Sequence, residues 1–187
     1  ADNYKVAKQA DTLMTFYNFN KEKVDQILVD LGYNLPDDYL LKNLDYYLAR
    51  TSHGSTLSRV VHAQLADMAG DAELSWTLYS DALSSDYNDI QGGTTAEGIH
   101  AGVMAGTVMI AMSTYAGVDF RGDTLLIEPS LPKQWKRMVF QLKFKNVHYK
   151  LSIAADKIHI FADADTQVKL LDTTYQIQAH QPAEINY

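Results

Sequence analysis

The chain has 187 residues, which is room for one large domain or two small ones with a real hydrophobic core. Hydrophobic residues make up 47% and charged residues 21%, an ordinary balance for a soluble globular protein, and a formal net charge of −7 argues against nucleic acid or an anionic membrane as partner. Cysteine is absent, which excludes disulfides, thiolate metal sites and a cysteine nucleophile and fits a cytoplasmic location, the compartment expected here.

No apolar stretch follows a basic start at Ala1–Lys5, so no signal peptide is expected. The first residue is not Met, and the chain is expected to begin inside a longer protein. Apolar spacing predicts a first helix from about Tyr4 to Phe19, with Val6, Ala10, Leu13, Met14 and Tyr17 on one face. Asn20 is placed to cap a second helix, with Glu22 in its first turn. Its stripe is Val24, Ile27, Leu28 and Leu31, and Gly32 ends it. Pro36-Asp37-Asp38 opens a third helix, with Tyr39, Leu40, Leu44 and Tyr47 as core.

Thr51-Ser52-His53-Gly54-Ser55-Thr56 is small and polar, and the stripe Leu57, Val60, Val61, Leu65, Met68 follows at once. This reads as a loop running into a helix N-terminus, where free backbone amides favour an anion. Gly54 permits close approach, and Ser55 and Thr56 add hydroxyl donors. Taken alone, the loop is better explained by a plain helix cap. Gly70-Asp71 ends that helix and starts another, with Leu74, Leu78 and Leu83 inside.

Asp86 to Gly93 reads as a loop; it lacks the ligand spacing of a calcium loop, and no metal site is expected. Thr94-Thr95-Ala96-Glu97 has the form of a capping box. Gly98, Gly102 and Gly106 then recur at helical spacing with His100 among them. Each glycine costs a helix about 1 kcal/mol, so close packing of a buried inner helix is the expected compensation. The uncharged run Ala101–Val118 is about long enough to span a bilayer, but it lacks Lys or Arg anchors and reads instead as that buried helix.

After Val118 the period changes to two. Phe140, Leu142 and Phe144 alternate with Gln141, Lys143 and Lys145; Val147, Tyr149, Leu151 and Ile153 alternate with His148, Lys150 and Ser152. Turns fall at Asn146 and Ala155-Asp156, and further short runs lie at 158–161, 168–171 and 175–179. An antiparallel sheet with one wet face, arranged as a small β-sandwich, is predicted.

Four stretches together carry a family likeness: Lys8-Gln9-Ala10-Asp11; Thr51 to Ser58; Gly92 to His100; and Leu125 to Trp135, with its Leu-x-x-x-Pro-x-Leu-Pro-x-x-Trp pattern. The chain resembles glycoside hydrolase family 65, the maltose, trehalose and kojibiose phosphorylases. The resemblance implies a multidomain α and β protein. Residues 1–117 would be the C-terminal helices of an (α/α)6 barrel, and residues 118–187 a small C-terminal antiparallel β-sandwich. It implies that Lys8 and Gln9 contact the glucosyl unit. It implies that His53, Gly54, Ser55, Thr56 and His100 hold phosphate, with Ser55, Thr56 and His100 as the direct contacts and His53 shaping the loop. The implied reaction is inverting: a glutamic acid protonates the glycosidic oxygen and phosphate, the co-substrate, attacks the anomeric carbon. That acid would lie before Ala1, so no catalytic residue is expected in this chain, which alone would be inactive.

The implied partners are an α-linked glucose disaccharide, phosphate, and the rest of the same enzyme, with its N-terminal β-sandwich and first barrel helices; members are often homodimers. No cofactor is implied. Thr56 departs from the commoner second serine of the family. The alternatives are a family hydrolase that uses water, and a non-catalytic carbohydrate-binding module. The latter would expose aromatic platforms, whereas Phe140, Phe144 and Tyr149 alternate as core residues.

Overall fold

The computed structural model describes residues 5–19, 21–90, 96 and 98–187. Contacts divide the chain into two compact units, Ala1–Val108 and Met109–Tyr187.

The first unit is helical: α1 Met14–Asn18, α2 Lys21–Asp30, α3 Tyr39–Leu48, α4 Leu57–Met68 and α5 Ala72–Asn88, with α6, Ala101–Ile110, reaching its end. Its core joins Leu13 and Phe16 to Val24, Tyr39, Leu40, Leu44, Val61 and Leu65. Each such buried Leu or Phe contributes roughly 1.5–3 kcal/mol over its exposed state. Two helices stop as their sequences demand. Gly32 and Gly70 adopt φ of 81° and 82°. After each, paired bonds (Tyr33 N–H to Leu28 O and Gly32 N–H to Val29 O; Asp71 N–H to Ala66 O and Gly70 N–H to Asp67 O) take up the last carbonyls. The Asp71 carboxylate then caps α5 by accepting the Leu74 amide at 3.0 Å.

Several expectations are corrected. The helix predicted from about Tyr4 is only the short α1, because the backbone at Ala7 and Lys8 bonds to a neighbouring loop. In the stripe of α2, Ile27 and Leu31 are exposed, as is Leu83 in α5, so apolar spacing overstates burial there. Asp86 to Asn88 are not loop but the last turn of α5, which ends at Asp89 in a left-handed conformation. Gly98 stands outside α6, at φ 111°, and His100 immediately precedes the helix. Nor is α6 buried all round: Val108 is 59% exposed, and among the described residues nothing lies within 4 Å of where a Gly102 side chain would be. Only Gly106 meets the predicted close approach, since a Cβ there would lie 2.9 Å from Val60 of α4. Asn20 as a cap and most of the Thr94–Glu97 box fall outside the described residues. Among the described residues no helix is long and apolar enough to cross a membrane.

The second unit begins with a π-helical turn, Ala111–Tyr115, and continues in eight strands. These are β1 Val118–Asp119, β2 Leu125–Ile127, β3 Arg137–Phe144, β4 Val147–Ala154, β5 Lys157–Ala162, β6 Thr166–Leu170, β7 Thr173–Ile177 and β8 Ala183–Asn186. They form two four-stranded sheets, ordered β1-β2-β6-β7 and β3-β4-β5-β8. The second sheet is antiparallel throughout. The first is mixed, because β2 runs parallel to β6, which corrects the purely antiparallel expectation. Alternation in β3 and β4 places side chains as predicted, with Tyr149, Leu151 and Ile153 buried. Lys145 and Asn146, both at positive φ, make the two-residue turn between them. Residues of both sheets, Leu125, Ile127, Val168 and Leu170 with Leu151, Ile153, Ile158 and Ile160, share one core. The buried Tyr149 hydroxyl finds Thr166 of the other sheet at 2.7 Å. Trp135 packs edge-on against Tyr115, with ring centres 5.6 Å apart.

Candidate functional site

The Lys8-Gln9-Ala10-Asp11 segment is stitched to the loop before α4. Ala7 N–H donates to Arg50 O at 3.0 Å, Ser52 N–H to Ala7 O at 2.9 Å, and Gly54 N–H to Lys8 O at 2.9 Å. Gly54 therefore spends its amide on Lys8. It also leaves space for the Lys8 stem, because a Cβ at Gly54 would stand 3.1 Å from Lys8 Cγ. Two stretches singled out in sequence, 8–11 and 51–58, thus form one local structure. Gln9 donates to Asp11 at 2.8 Å. Both line a cleft of about 200 Å³ with Met14 of α1 and Leu57 and Ser58 of α4.

At the start of α4, His53 sits at φ 48° and its Nδ1 lies 3.1 Å from the Ser58 hydroxyl. Ser55 is half-buried, while Thr56 is buried, 2% exposed, and its hydroxyl does not cap the helix. In the first turn of α4 the amides of Ser58 and Arg59 donate to Ser55 O and Thr56 O, both at 3.1 Å, and the aligned peptide dipoles make this end electropositive. Behind it stands His62, fully buried, with Nδ1 2.7 Å from the Ser58 carbonyl. A carbonyl only accepts, so His62 carries its hydrogen on Nδ1. Its Nε2 is buried without a partner among the described residues. The two imidazoles meet edge-on at 4.9 Å. Arg59, one turn into α4, approaches Asp81 of α5 at 3.7 Å.

Burial holds both histidines neutral. It pushes His53 down to about 4, with the nearby His62 and Arg59 adding to the shift, and it lowers His62 as well. The unfolded chain therefore takes up protons first as pH falls. Stability from these groups is complete above about pH 6.5 and is lost as the pH drops towards 4. Melting temperatures of the chain at pH 7.5, 6, 5 and 4 are expected to fall across that window, and less steeply for His53→Gln. Equal slopes for the two proteins would overturn the assignment.

His100 is held from α5. Its ring Nδ1 lies 2.5 Å from Asp86 Oδ1, and its backbone N–H donates to Asp86 Oδ2 at 2.8 Å. The His100 hydrogen bond keeps the Asp86 carboxyl below the usual carboxylate range. Its carbonyl in turn accepts the amides of Val103 and Met104, opening α6. Asp81 and Asp86 are five residues apart, roughly 7.5 Å along the axis at 1.5 Å per residue. So α5 ties both Arg59, beside the loop, and His100. Sequence reasoning missed Ser58, Arg59, His62, Asp81 and Asp86. Ser58 and His62 carried a signal, being four apart on one helix face; Asp86 carried none. Among the described residues no group of His, Asp and Glu is placed to hold a metal ion.

Residues 1–109 match the glycosyl hydrolase family 65 central catalytic domain, and residues 118–177 match the family's C-terminal domain. Trehalose 6-phosphate phosphorylase of Lactococcus lactis is 43% identical over 95% of the chain, which covers 23% of that protein. Kojibiose phosphorylase of Escherichia coli is 28% identical over 89% of the chain and 23% of its own length. Alpha,alpha-trehalose phosphorylase of Geobacillus stearothermophilus is 25% identical over 98% and 23%. The chain thus spans about a quarter of the length of these relatives. A solved structure from the human microbiome, assigned provisionally to the kojibiose phosphorylases, superposes with a TM-score of 0.75 at 24% identity. It covers 97% of this chain and 22% of its own, and it shares the fold. With more than half of its residues matched by the catalytic-domain model alone, the chain belongs to glycosyl hydrolase family 65.

Proposed function

We propose that this chain is the C-terminal portion of an inverting phosphorylase that cleaves an α-glucosidic disaccharide with inorganic phosphate. In this reading residues 1–117 complete an (α/α)6 barrel, and residues 118–187 are the C-terminal β-sandwich. The general acid lies on a part of the enzyme outside the chain. Lys8 and Gln9 hold the glucosyl unit. Ser55, Thr56 and His100 hold the phosphate, with Gly54 and His53 shaping the loop. The observation that carries the reading is the joining of Lys8 to Gly54 just before α4. It sets a sugar-binding cation beside an electropositive helix end, which is what bringing a sugar and an anion together requires. Phosphate is itself the nucleophile, so no second carboxylate is needed to activate water. The 43% identity to a trehalose 6-phosphate phosphorylase favours a phosphorylated disaccharide as substrate. A cytoplasmic location suits such a substrate.

The full-length enzyme, given trehalose 6-phosphate, trehalose, kojibiose and maltose in turn, is expected to release β-glucose 1-phosphate from one of them only when phosphate is present. Free glucose without phosphate would instead identify a hydrolase.

A further inference from the structure

Asp86 is an odd residue to find in the last turn of α5. A helix C-terminus carries partial negative charge, which disfavours a carboxylate there. Asp86 is nevertheless enclosed, at 14% side-chain exposure, and both its oxygens are committed to a residue fourteen positions away: Oδ1 to the His100 ring and Oδ2 to the His100 backbone amide. His100 follows Gly98, at φ 111°, and stands just ahead of α6, at a joint where the backbone alone does not fix the ring. Two oxygens of one carboxylate on two groups of one residue do fix it.

We infer that Asp86 is the positioning residue of His100, setting the orientation of its imidazole and keeping the hydrogen of Nδ1 on the carboxylate side, so that Nε2, the ring nitrogen without a hydrogen, is turned to phosphate and accepts from its P–OH group. A carboxylate oxygen only accepts, so Nδ1 carries the hydrogen. The ring keeps 31% exposure, which leaves its opposite edge approachable. Through Asp81 the same helix anchors Arg59, beside the loop that begins α4. Helix α5 thereby sets the spacing between the two halves of the anion site. The inference rests on the reading of His100 as a phosphate ligand.

The test is a cycle in the full-length enzyme with Asp86→Asn, His100→Ala and the double variant. The readouts are kcat and the separate KM values for phosphate and for the disaccharide. Asp86→Asn keeps the size of the side chain and loses its charge and one acceptor. It is expected to raise the KM for phosphate on the order of 10-fold, with the KM for the disaccharide unchanged and the melting temperature near wild type. Asp86→Glu, which restores the charge one methylene further out, is expected to recover part of the loss. In the His100→Ala background Asp86→Asn is expected to change nothing more.

A carboxylate that merely staples α5 to the start of α6 would act equally in both backgrounds and on both substrates, and that result overturns the inference. If His100→Ala raises the phosphate KM and Asp86→Asn does not, the inference falls and the phosphate reading stands. If His100→Ala leaves phosphate untouched, both fall. Should Asp86→Asn fail to fold, the same cycle run with Asp86→Glu decides: a smaller rise that vanishes without His100 supports positioning, and a persistent one refutes it.

Discussion

Alanine at Gly117 is expected to destabilise the β unit by about 3 kcal/mol. Gly117 adopts φ 65° between the π-helical turn and β1. An L residue held in that left-handed region costs roughly 1–2 kcal/mol. The steric term is larger. A Cβ at Gly117 would stand 1.9 Å from the carbonyl oxygen of Glu128 and 2.8 Å from its nitrogen. These are backbone atoms, and they cannot swing aside as a side chain can. Moving them would break the bond from Glu128 N–H to Gly117 O, 2.9 Å, and strain the neighbouring one from Ser130 N–H to Tyr115 O, 3.0 Å. Overpacking of this kind costs typically 1–3 kcal/mol. Gly102→Ala is the control: among the described residues nothing lies within 4 Å of its Cβ position, and in the first turn of α6 alanine, the better helix former, gains at most about 1 kcal/mol. Urea unfolding of the chain, followed by circular dichroism and Trp fluorescence, separates the two. A Gly117→Ala protein within 0.5 kcal/mol of wild type, on the order of the usual scatter for surface substitutions, would refute the contact.

The largest effect on activity is expected from His100→Ala. Removing one preorganised group that faces developing charge in a reaction centre lowers turnover by about 10²–10³. The full-length His100→Ala enzyme is expected to lose at least about 100-fold in kcat/KM for phosphate and to keep its affinity for the disaccharide. The substitution also strips Asp86 Oδ1 of its ring partner while Oδ2 keeps the backbone amide of residue 100, and leaving an enclosed polar atom unpaired costs roughly 1–3 kcal/mol. A melting curve should therefore accompany the kinetics, so that loss of fold is not mistaken for loss of phosphate binding. Phosphorolysis at wild-type rate in a folded variant would remove His100 from the anion site.

Much of the fold could be read from residue order because the signals were local. The alternation through Phe140–Ile153 and the Lys145-Asn146 turn specify a hairpin by themselves, and Gly32 and Gly70 sit where left-handed helix ends need them. What escaped was set by distant partners. Ala7 and Lys8 look helical by spacing, yet their backbone groups bond to Arg50, Ser52 and Gly54. Asp86-Tyr87-Asn88 has the composition of a loop, yet the helix continues because Asp86 is used by His100. The parallel pairing of β2 with β6 leaves no local trace, since neither strand turns directly into the other. At the candidate site, the loop and its helix were legible as a polar run before an apolar stripe. Their attachment to Lys8 was not, because nothing in either segment names its neighbour across more than forty positions.

That parallel pair has a consequence for how the β unit is made. Strands β4 and β5 each close on the strand just synthesised, as neighbours of β3 in an antiparallel meander. β2 pairs at once with β1 along one edge, but its other edge at Leu125–Ile127 stays open until residues 168–170 arrive, after three other strands have been completed. Closing so long a loop is entropically unfavourable until the far strand is present. An early-made, apolar, open edge is also the kind of surface that pairs with the wrong chain. Its brevity, three residues, limits that hazard while the chain is still leaving the ribosome.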